Sequence, residues 1–234
     1  MTHDIHIKVL VEDTTSASHL LAEHGLSFWI EFGDSRVLFD TGKSDVLMKN
    51  AKSLNVDLTK TTAVVLSHGH YDHTGGVEAA LEIASNAHIF LHPASFYPKF
   101  AKKDGNVHAI GMPDSARGAI YAHLNKGNVV LTEKPTEIAE RLFVTGRIPR
   151  TKVFEGIDSS FFVKENCIEI DTLPDDQSVF FKISKGLVVL LGCAHAGVVN
   201  TLQYIAKLTG DFFLCCNRWN ASSKCNLRKN SPDH

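Results

Sequence analysis

The chain contains no apolar run approaching the ~20 residues that a membrane-spanning helix needs. Nor does it carry excess positive charge. Its formal net charge is -2 over 234 residues, which argues against a basic surface for polyanions, so nucleic acid and membrane are not expected partners. Met1-Thr2-His3-Asp4 is not a basic stretch leading into an apolar one. No secretion signal is read there, and the expected compartment is the cytoplasm. Cysteine is scarce and odd in number: Cys167, Cys193, Cys215, Cys216 and Cys225. Without a Cys-x-x-Cys pair these suggest neither a disulfide framework nor a zinc knuckle. Gly-x-Ser-x-Gly and the Gly-x-x-x-x-Gly-Lys-Ser/Thr loop are also absent, so neither a nucleophile-elbow serine nor a P-loop offers an alternative chemistry.

What is present suits a sizeable globular core. Hydrophobic residues make up 44% and charged residues 21%, and the length fits one large α/β domain or two small ones. Strand-like segments fall at residues 5–11, then at 27–32 and 36–39 around Gly33-Asp34-Ser35, a hairpin. Ser44 is placed to cap a helix over 44–54, with Val46, Leu47, Ala51 and Leu54 on one face. Residues 62–66 read as a buried strand, Gly75-Gly76 opens a helix over 75–85, and 88–91 is a further strand. The stretch 93–175 is rich in Gly and Pro and reads as a strand-and-loop excursion shaping a pocket, with strands at 129–131 and 142–144. A second hairpin is expected over 178–183 and 187–191 around Lys185-Gly186, followed by a helix over 197–208. Each half thus runs hairpin, Gly-containing polar loop, helix. That order predicts an α/β (α+β) protein in four αββα layers, two mixed sheets face to face with helices outside.

The chemistry concentrates in Ser67-His68-Gly69-His70-Tyr71-Asp72-His73. Imidazoles and a carboxylate are the ligand set of Zn²⁺, Fe or Mn²⁺ rather than Ca²⁺. His68 and His70 alternate and so project the same way from extended chain, while Asp72 and His73 lie beyond a turn and can address a second ion. Gly69 and Gly75-Gly76 are expected to let the backbone pass close to the ions. The expected cofactor is one or two Zn²⁺, with Mn²⁺ or Fe as substitutes, and the expected partner is a small-molecule substrate.

This run resembles the signature of the metallo-β-lactamase superfamily, and Leu38-Phe39-Asp40-Thr41-Gly42 resembles the hairpin end preceding it there. Gly192-Cys193-Ala194-His195-Ala196-Gly197, Glu23-His24-Gly25-Leu26-Ser27 and Gly146-Arg147-Ile148-Pro149-Arg150 resemble a narrower branch, the dihydropterin-ribofuranosylaminobenzene-phosphate-synthase-like proteins. His195 follows a buried strand and precedes a helix, the context of His68, and is a ligand or an outer hydrogen-bonding group. Cys193 is a thiolate ligand or a small buried residue. Many relatives carry a ligating His near Asp175-Asp176; here Asp176 or its neighbour substitutes as an oxygen ligand or the pair only makes a turn. Asp40 is a further candidate beside the metal. Glu23, His24, His92 and Arg150 are candidates for holding substrate, Arg150 because guanidinium suits phosphate or carboxylate.

Residues 1–211 carry the resemblance; 212–234 do not. The resemblance places a Gly-Gly-x-His-Leu element there, whose His ligates the second ion. Trp219 has the single codon TGG and Asn220 begins with A, so a one-base shift reads Gly across them, and the shifted frame permits Ala-Val-Ile-Gly-Gly-Met-His-Leu. The tail is therefore expected to be an out-of-frame product, and the domain truncated or frameshifted at its C-terminus.

The activity this implies is metal-assisted hydrolysis of an ester or phosphoester, with Asp72 as ligand and catalytic carboxylate. The alternatives are a transferase of the dihydropterin-synthase type and an inactive metal-binding relative lacking a second-site ligand. If the tail is out of frame, a frame-restored chain carrying Gly-Gly-x-His-Leu should bind more metal and melt higher than the chain as written. Equal metal stoichiometry and equal thermal midpoints would overturn the frame argument.

Overall fold

The computed structural model describes residues 5–183 and 186–210, and the backbone of Phe213–Asn217. In chain order the strands are β1 Ile5–Val11, β2 Ser27–Phe32, β3 Ser35–Phe39, β4 Ala63–Val65, β5 His88–Leu91, β6 Phe100–Lys103 and β7 Asn106–Ala109. They continue as β8 Val129–Leu131, β9 Thr136–Ala139, β10 Leu142–Val144, β11 Phe161–Phe162, β12 Val179–Ile183, β13 Gly186–Leu190 and β14 Phe213–Asn217. The α-helices are α1 Val46–Ser53, α2 Tyr71–Thr74, α3 Val77–Ile83, α4 Asp114–Leu124 and α5 Val198–Thr209.

Two mixed sheets result, ordered β1-β2-β3-β4-β5-β8 and β14-β13-β12-β10-β9. Period-two alternation decides their packing. Phe28, Ile30 and Phe32 of β2, with Val37, Phe39, Val65 and Phe90, turn one way and meet Leu142, Val144, Val179, Phe181, Val188 and Leu190 of the second sheet. Trp29, Leu38, Val64, Ile89 and Leu91 turn the other way, under Leu47 and Ala51 of α1, Val77 and Leu81 of α3, and Ala116 and Ile120 of α4. On the far side Phe180, Leu187 and Val189 pack on Ile205 of α5. With both faces of each sheet covered, the strands read as nearly continuous apolar runs. The four-layer αββα expectation holds.

Several local expectations are corrected. Asp45, not Ser44, is the N-cap of α1 and makes no side-chain cap bond; Ser44 Oγ accepts from Val46 N at 3.4 Å instead. Gly76 is the N-cap of α3, as expected of Gly75-Gly76, but the helix ends at Ile83 and a short helix α2 precedes the glycines. The excursion between Pro93 and Asp175 is more regular than expected. It holds α4 and a separate three-stranded sheet, β11-β6-β7. Lys185 of the expected turn lies outside the described residues, whereas Gly186 already belongs to β13. β14 runs parallel to β13, from Leu187 opposite Phe213 to Leu190 opposite Asn217. The remainder of 212–234, including Trp219 and Asn220, lies outside the described residues.

Ile120 is buried under the first sheet, while Leu124, one turn on, is 47% exposed. Ile120→Ala should therefore cost about 2–5 kcal/mol, and Leu124→Ala under about 0.5 kcal/mol. Denaturant unfolding of the two variants checks that α4 is docked through this face.

Candidate metal centre

The site starts at the ends of two adjacent parallel strands. β3 stops at Phe39, and Asp40 takes a left-handed φ of 60°. That turn aims its carboxylate at the loop leaving β4. Fully buried, Asp40 accepts from Ser67 N at 2.6 Å, Ser67 Oγ at 2.7 Å and His73 Nδ1 at 2.7 Å. With Nδ1–H committed to Asp40, His73 turns its Nε2 inward, the usual way a carboxylate orients a ligating imidazole. Asp40 is thus an orienting group.

Four imidazoles converge from two parts of the chain. His68 lies with ring centroids 4.5 Å from His70, 4.2 Å from His73 and 4.8 Å from His195, and His70 lies 5.1 Å from His195. Among the described residues two triplets bring ligand atoms within 4.8 Å of one another: His68, His70, His195, and His68, His73, Cys193. His70 Nε2 and His195 Nε2 are buried without a hydrogen-bond partner. Buried polar atoms are rarely left so, and a cation is the partner that aromatic nitrogens at this spacing fit. Burial holds His68 well below the ordinary imidazole range, with the charge of His73 adding to it. Burial likewise takes His70 to about 3 and His195 to about 4. All three are neutral at physiological pH, the state in which imidazole ligates.

Asp72 stands at the side of this cluster, Oδ2 being 3.5 Å from His73 Nε2 and 3.4 Å from His24 Nε2. Burial raises its carboxyl, but the hydrogen bond and charge of His73, then His70, pull it down to about 2. His24 also meets Asp13 at 3.0 Å through Nδ1 and is largely exposed. Cys193 Sγ lies 3.1 Å from His73 Nε2, and burial pushes its thiol up.

The remaining candidates are placed as follows. Asp176 belongs to neither triplet. Its Oδ2 accepts from Ala196 N at 2.7 Å, and burial drives its carboxyl up to about 7. Asp176 therefore shapes the loop bearing His195. Glu23 accepts from Lys43 N at 2.9 Å and Ser44 N at 3.1 Å, fastening the start of α1. His92 Nδ1 accepts from Ala94 N at 3.1 Å and so caps a 3₁₀ turn. Arg150 donates to Thr172 O at 2.8 Å, tying two loops of the excursion together. The expectation that glycines let the backbone approach the ions is corrected. A Cβ on Gly69 would meet Ser95 O at 2.3 Å, on Gly75 Lys43 O at 2.1 Å and on Gly76 Thr41 O at 2.3 Å. These glycines let loops cross one another.

Three contributors, Lys99, Asp171 and Phe161, gave no sequence signal. Lys99 is 2% exposed and donates to Asp175 at 2.9 Å and Asp171 at 3.2 Å. Asp175 in turn accepts from Gly69 N at 2.7 Å, between the two first histidines. Phe161 of the small sheet packs its ring 5.2 Å from His70 and 5.4 Å from His195, walling the cluster. A lone lysine or phenylalanine in an irregular stretch carries no periodicity to reveal such a position.

An αββα sandwich with a histidine cluster where the two sheets' loops meet is the architecture of a metal-dependent enzyme fold. The Metallo-beta-lactamase superfamily model matches residues 21–199, and the chain belongs to that superfamily. The Methanocaldococcus jannaschii protein MJ0448 is 31% identical over 204 residues, 87% of this chain and 75% of its own length. From the same organism, 7,8-dihydropterin-6-methyl-4-(beta-D-ribofuranosyl)-aminobenzene-5'-phosphate synthase is 29% identical over 220 residues, 88% of this chain and 74% of its own length. The crystal structure of Tm1679, a metal-dependent hydrolase of the β-lactamase superfamily, is 31% identical and superposes with a TM-score of 0.73, covering 91% of this chain and 75% of that one. Among the described residues no helix is long and apolar enough to cross a membrane.

The pH response of the metal-free chain follows from the buried imidazoles. His70 near 3 and His195 near 4 stay neutral in the folded state while the unfolded chain protonates near 6.5. Below 6.5 the unfolded state binds more protons, so stability falls with falling pH, by about 2 kcal/mol per histidine at pH 5. The chelator-treated chain should thus melt progressively lower from pH 7 to 5; a level midpoint would contradict neutral burial of this pair.

Proposed function

We propose that the chain is a metal-dependent hydrolase acting on an ester or phosphoester of a small molecule, with Zn²⁺ as its resident ion. The observation that carries this reading is the pair of unpartnered buried nitrogens, His70 Nε2 and His195 Nε2, converging with His68. His68, His70 and His195 would hold one ion, and His73 with Asp72 frames a second position beside it. An ion held there supplies the Lewis acidity that makes water a nucleophile near neutral pH and polarises a carbonyl or phosphoryl oxygen.

The protein's part is orientation. Asp40 fixes the His73 tautomer, and Asp175 fixes Gly69 between His68 and His70. Asp72, with its carboxyl near 2, is a carboxylate throughout the working range. So acidic a group is a weak base. It therefore suits ligating and orienting better than taking up a proton. Phe161 excludes water from one side of the cluster.

Metal analysis of the purified chain, with a panel of phosphoester, lactone and thioester substrates, tests the reading. His68→Ala combined with His70→Ala should abolish metal binding and lower kcat/KM by roughly 10³-fold or more, as loss of several kcal/mol of charge stabilisation requires. Full metal content in the double variant would refute the ligand assignment. The similarity to a named synthase supports a second reading, condensation of a pterin diphosphate with an aminobenzene ribofuranosyl phosphate. Condensation without ester hydrolysis by the loaded protein would favour it.

A further inference from the structure

We infer that Lys99 is a positioning residue that locks two parts of the metal centre together, the His68-Gly69-His70 turn and the Phe161 wall beside it. The inference rests on the metal reading above and names the residue that sets the shape of that site.

Lys99 lies just ahead of β6 in the excursion and is 2% exposed. A buried ammonium is costly unless charged acceptors take its protons. Two carboxylates meet it, Asp175 Oδ1 at 2.9 Å and Asp171 Oδ2 at 3.2 Å, and both residues are buried. Each leads on to a different part of the centre. The other oxygen of Asp175, Oδ2, accepts from Gly69 N at 2.7 Å, so this arm ends between two of the clustered histidines. Burial alone would raise the Asp175 carboxyl, but Lys99 holds it below its ordinary value, which keeps it an acceptor. Asp171 turns to the wall. Its backbone N donates to Phe161 O at 2.9 Å, and its Oδ1 accepts from Leu173 N at 2.8 Å. Phe161 carries the ring that stands 5.2 Å from His70 and 5.4 Å from His195.

The backbone of Lys99 completes the connection. Lys99 O accepts from Ile110 N at 2.9 Å, and Ile110 O accepts from Tyr71 N at 3.0 Å, next to His70. His70 itself forms a β-bridge with Gly111. Main chain thus sets where Lys99 starts, and its ammonium sets where the two carboxylates stop. Lysine suits this joint because an ammonium donates in three directions. The wall and the turn come from segments far apart in the chain, and Lys99 is the side chain that touches the carboxylates of both arms.

Amide hydrogen exchange on the ion-free full chain, with Zn²⁺ affinity measured against a competing chelator, separates the two arms. Asp175→Asn leaves one oxygen where the carboxylate offers two, so Gly69 N and Lys99 cannot both keep their partner. Exchange at Gly69 should quicken at least about tenfold, and Zn²⁺ affinity should fall about 10–100-fold, as on loss of an outer partner of a ligand. Exchange of the backbone amide at position 171 should hold. Asp171→Asn should do the reverse, quickening the position-171 amide at least about tenfold while Gly69 holds. Lys99→Met should produce both losses. The amides of Ala116 and Ile120 in α4, outside the network, report any general loss of stability. If Lys99→Met does not fold, Lys99→Met combined with Asp171→Asn and Asp175→Asn, which buries no unpaired charge, should fold and show both losses. Unchanged exchange in Lys99→Met, unchanged Zn²⁺ affinity in Asp175→Asn, or equal quickening at Gly69, position 171 and α4 would overturn the assignment and leave the metal reading standing. A native chain that takes up no Zn²⁺ would sink the proposed function, while the exchange data would still decide on Lys99.

Discussion

The Asp40 carboxylate holds this structure's chemistry together. It takes three hydrogen bonds of 2.6–2.7 Å, two from Ser67 and one from His73. Those partners lie on either side of His68 and His70, so one buried carboxylate fixes both ends of the ligand loop. A buried charge is costly unless it is fully hydrogen-bonded. Here the cost is offset by three donors, one of them an imidazole that acquires a fixed tautomer in return. The left-handed φ of Asp40 is the conformational strain that makes this aim possible. Asparagine there would keep the shape but surrender the charge that stabilises the His73 Nδ1–H.

A second buried network does for Gly69 what Asp40 does for Ser67. Lys99 sits between Asp175 and Asp171, and Asp175 reaches the Gly69 amide. Gln177 then spans the gap between sheets, donating to Leu66 O at 2.7 Å and accepting from Thr132 Oγ1 at 2.8 Å. Asp175, Asp176 and Gln177 thus form one short segment before β12. Each member fastens a different loop: the first the histidine run, the second the His195 loop, the third the end of β8. Among the described residues that segment contributes to neither metal triplet. Its acids serve hydrogen bonding to backbone amides, and both are fully buried.

What the sequence made legible follows from period and spacing. Apolar runs in β2 and β3, helical spacing in α1, α3 and α5, and six residues from His68 to His73 are local patterns, and the structure follows them except at Leu208, expected on the buried face of α5 but 42% exposed. The α4 helix also carried a local signal, Ala116, Ile120 and His123 at helical spacing behind Pro113, but the surrounding glycines disguised it. Lys99, Asp171 and Phe161 were not legible because their roles depend on partners tens of residues away. Glu23 shows the converse: the motif was noticed, but its carboxylate is spent on amides at the start of α1.

The distribution of donors between the two halves has a thermodynamic consequence. His68, His70 and His73 leave the first sheet, whereas His195 leaves the second, after β13. An ion held by both sets would crosslink the two halves. In the ion-free chain the same site holds imidazoles packed 4.2–5.1 Å apart, those of His68, His70 and His195 neutral and two with unpartnered nitrogens. Such an arrangement is unfavourable on its own, because the unfolded chain would hydrate those nitrogens. The apolar core must therefore hold the site open against its own preference. Ligand binding to the folded state alone then adds RT ln(1 + [L]/Kd) to stability. The sandwich supplies the preorganisation, and the ion supplies the attraction the loops lack without it.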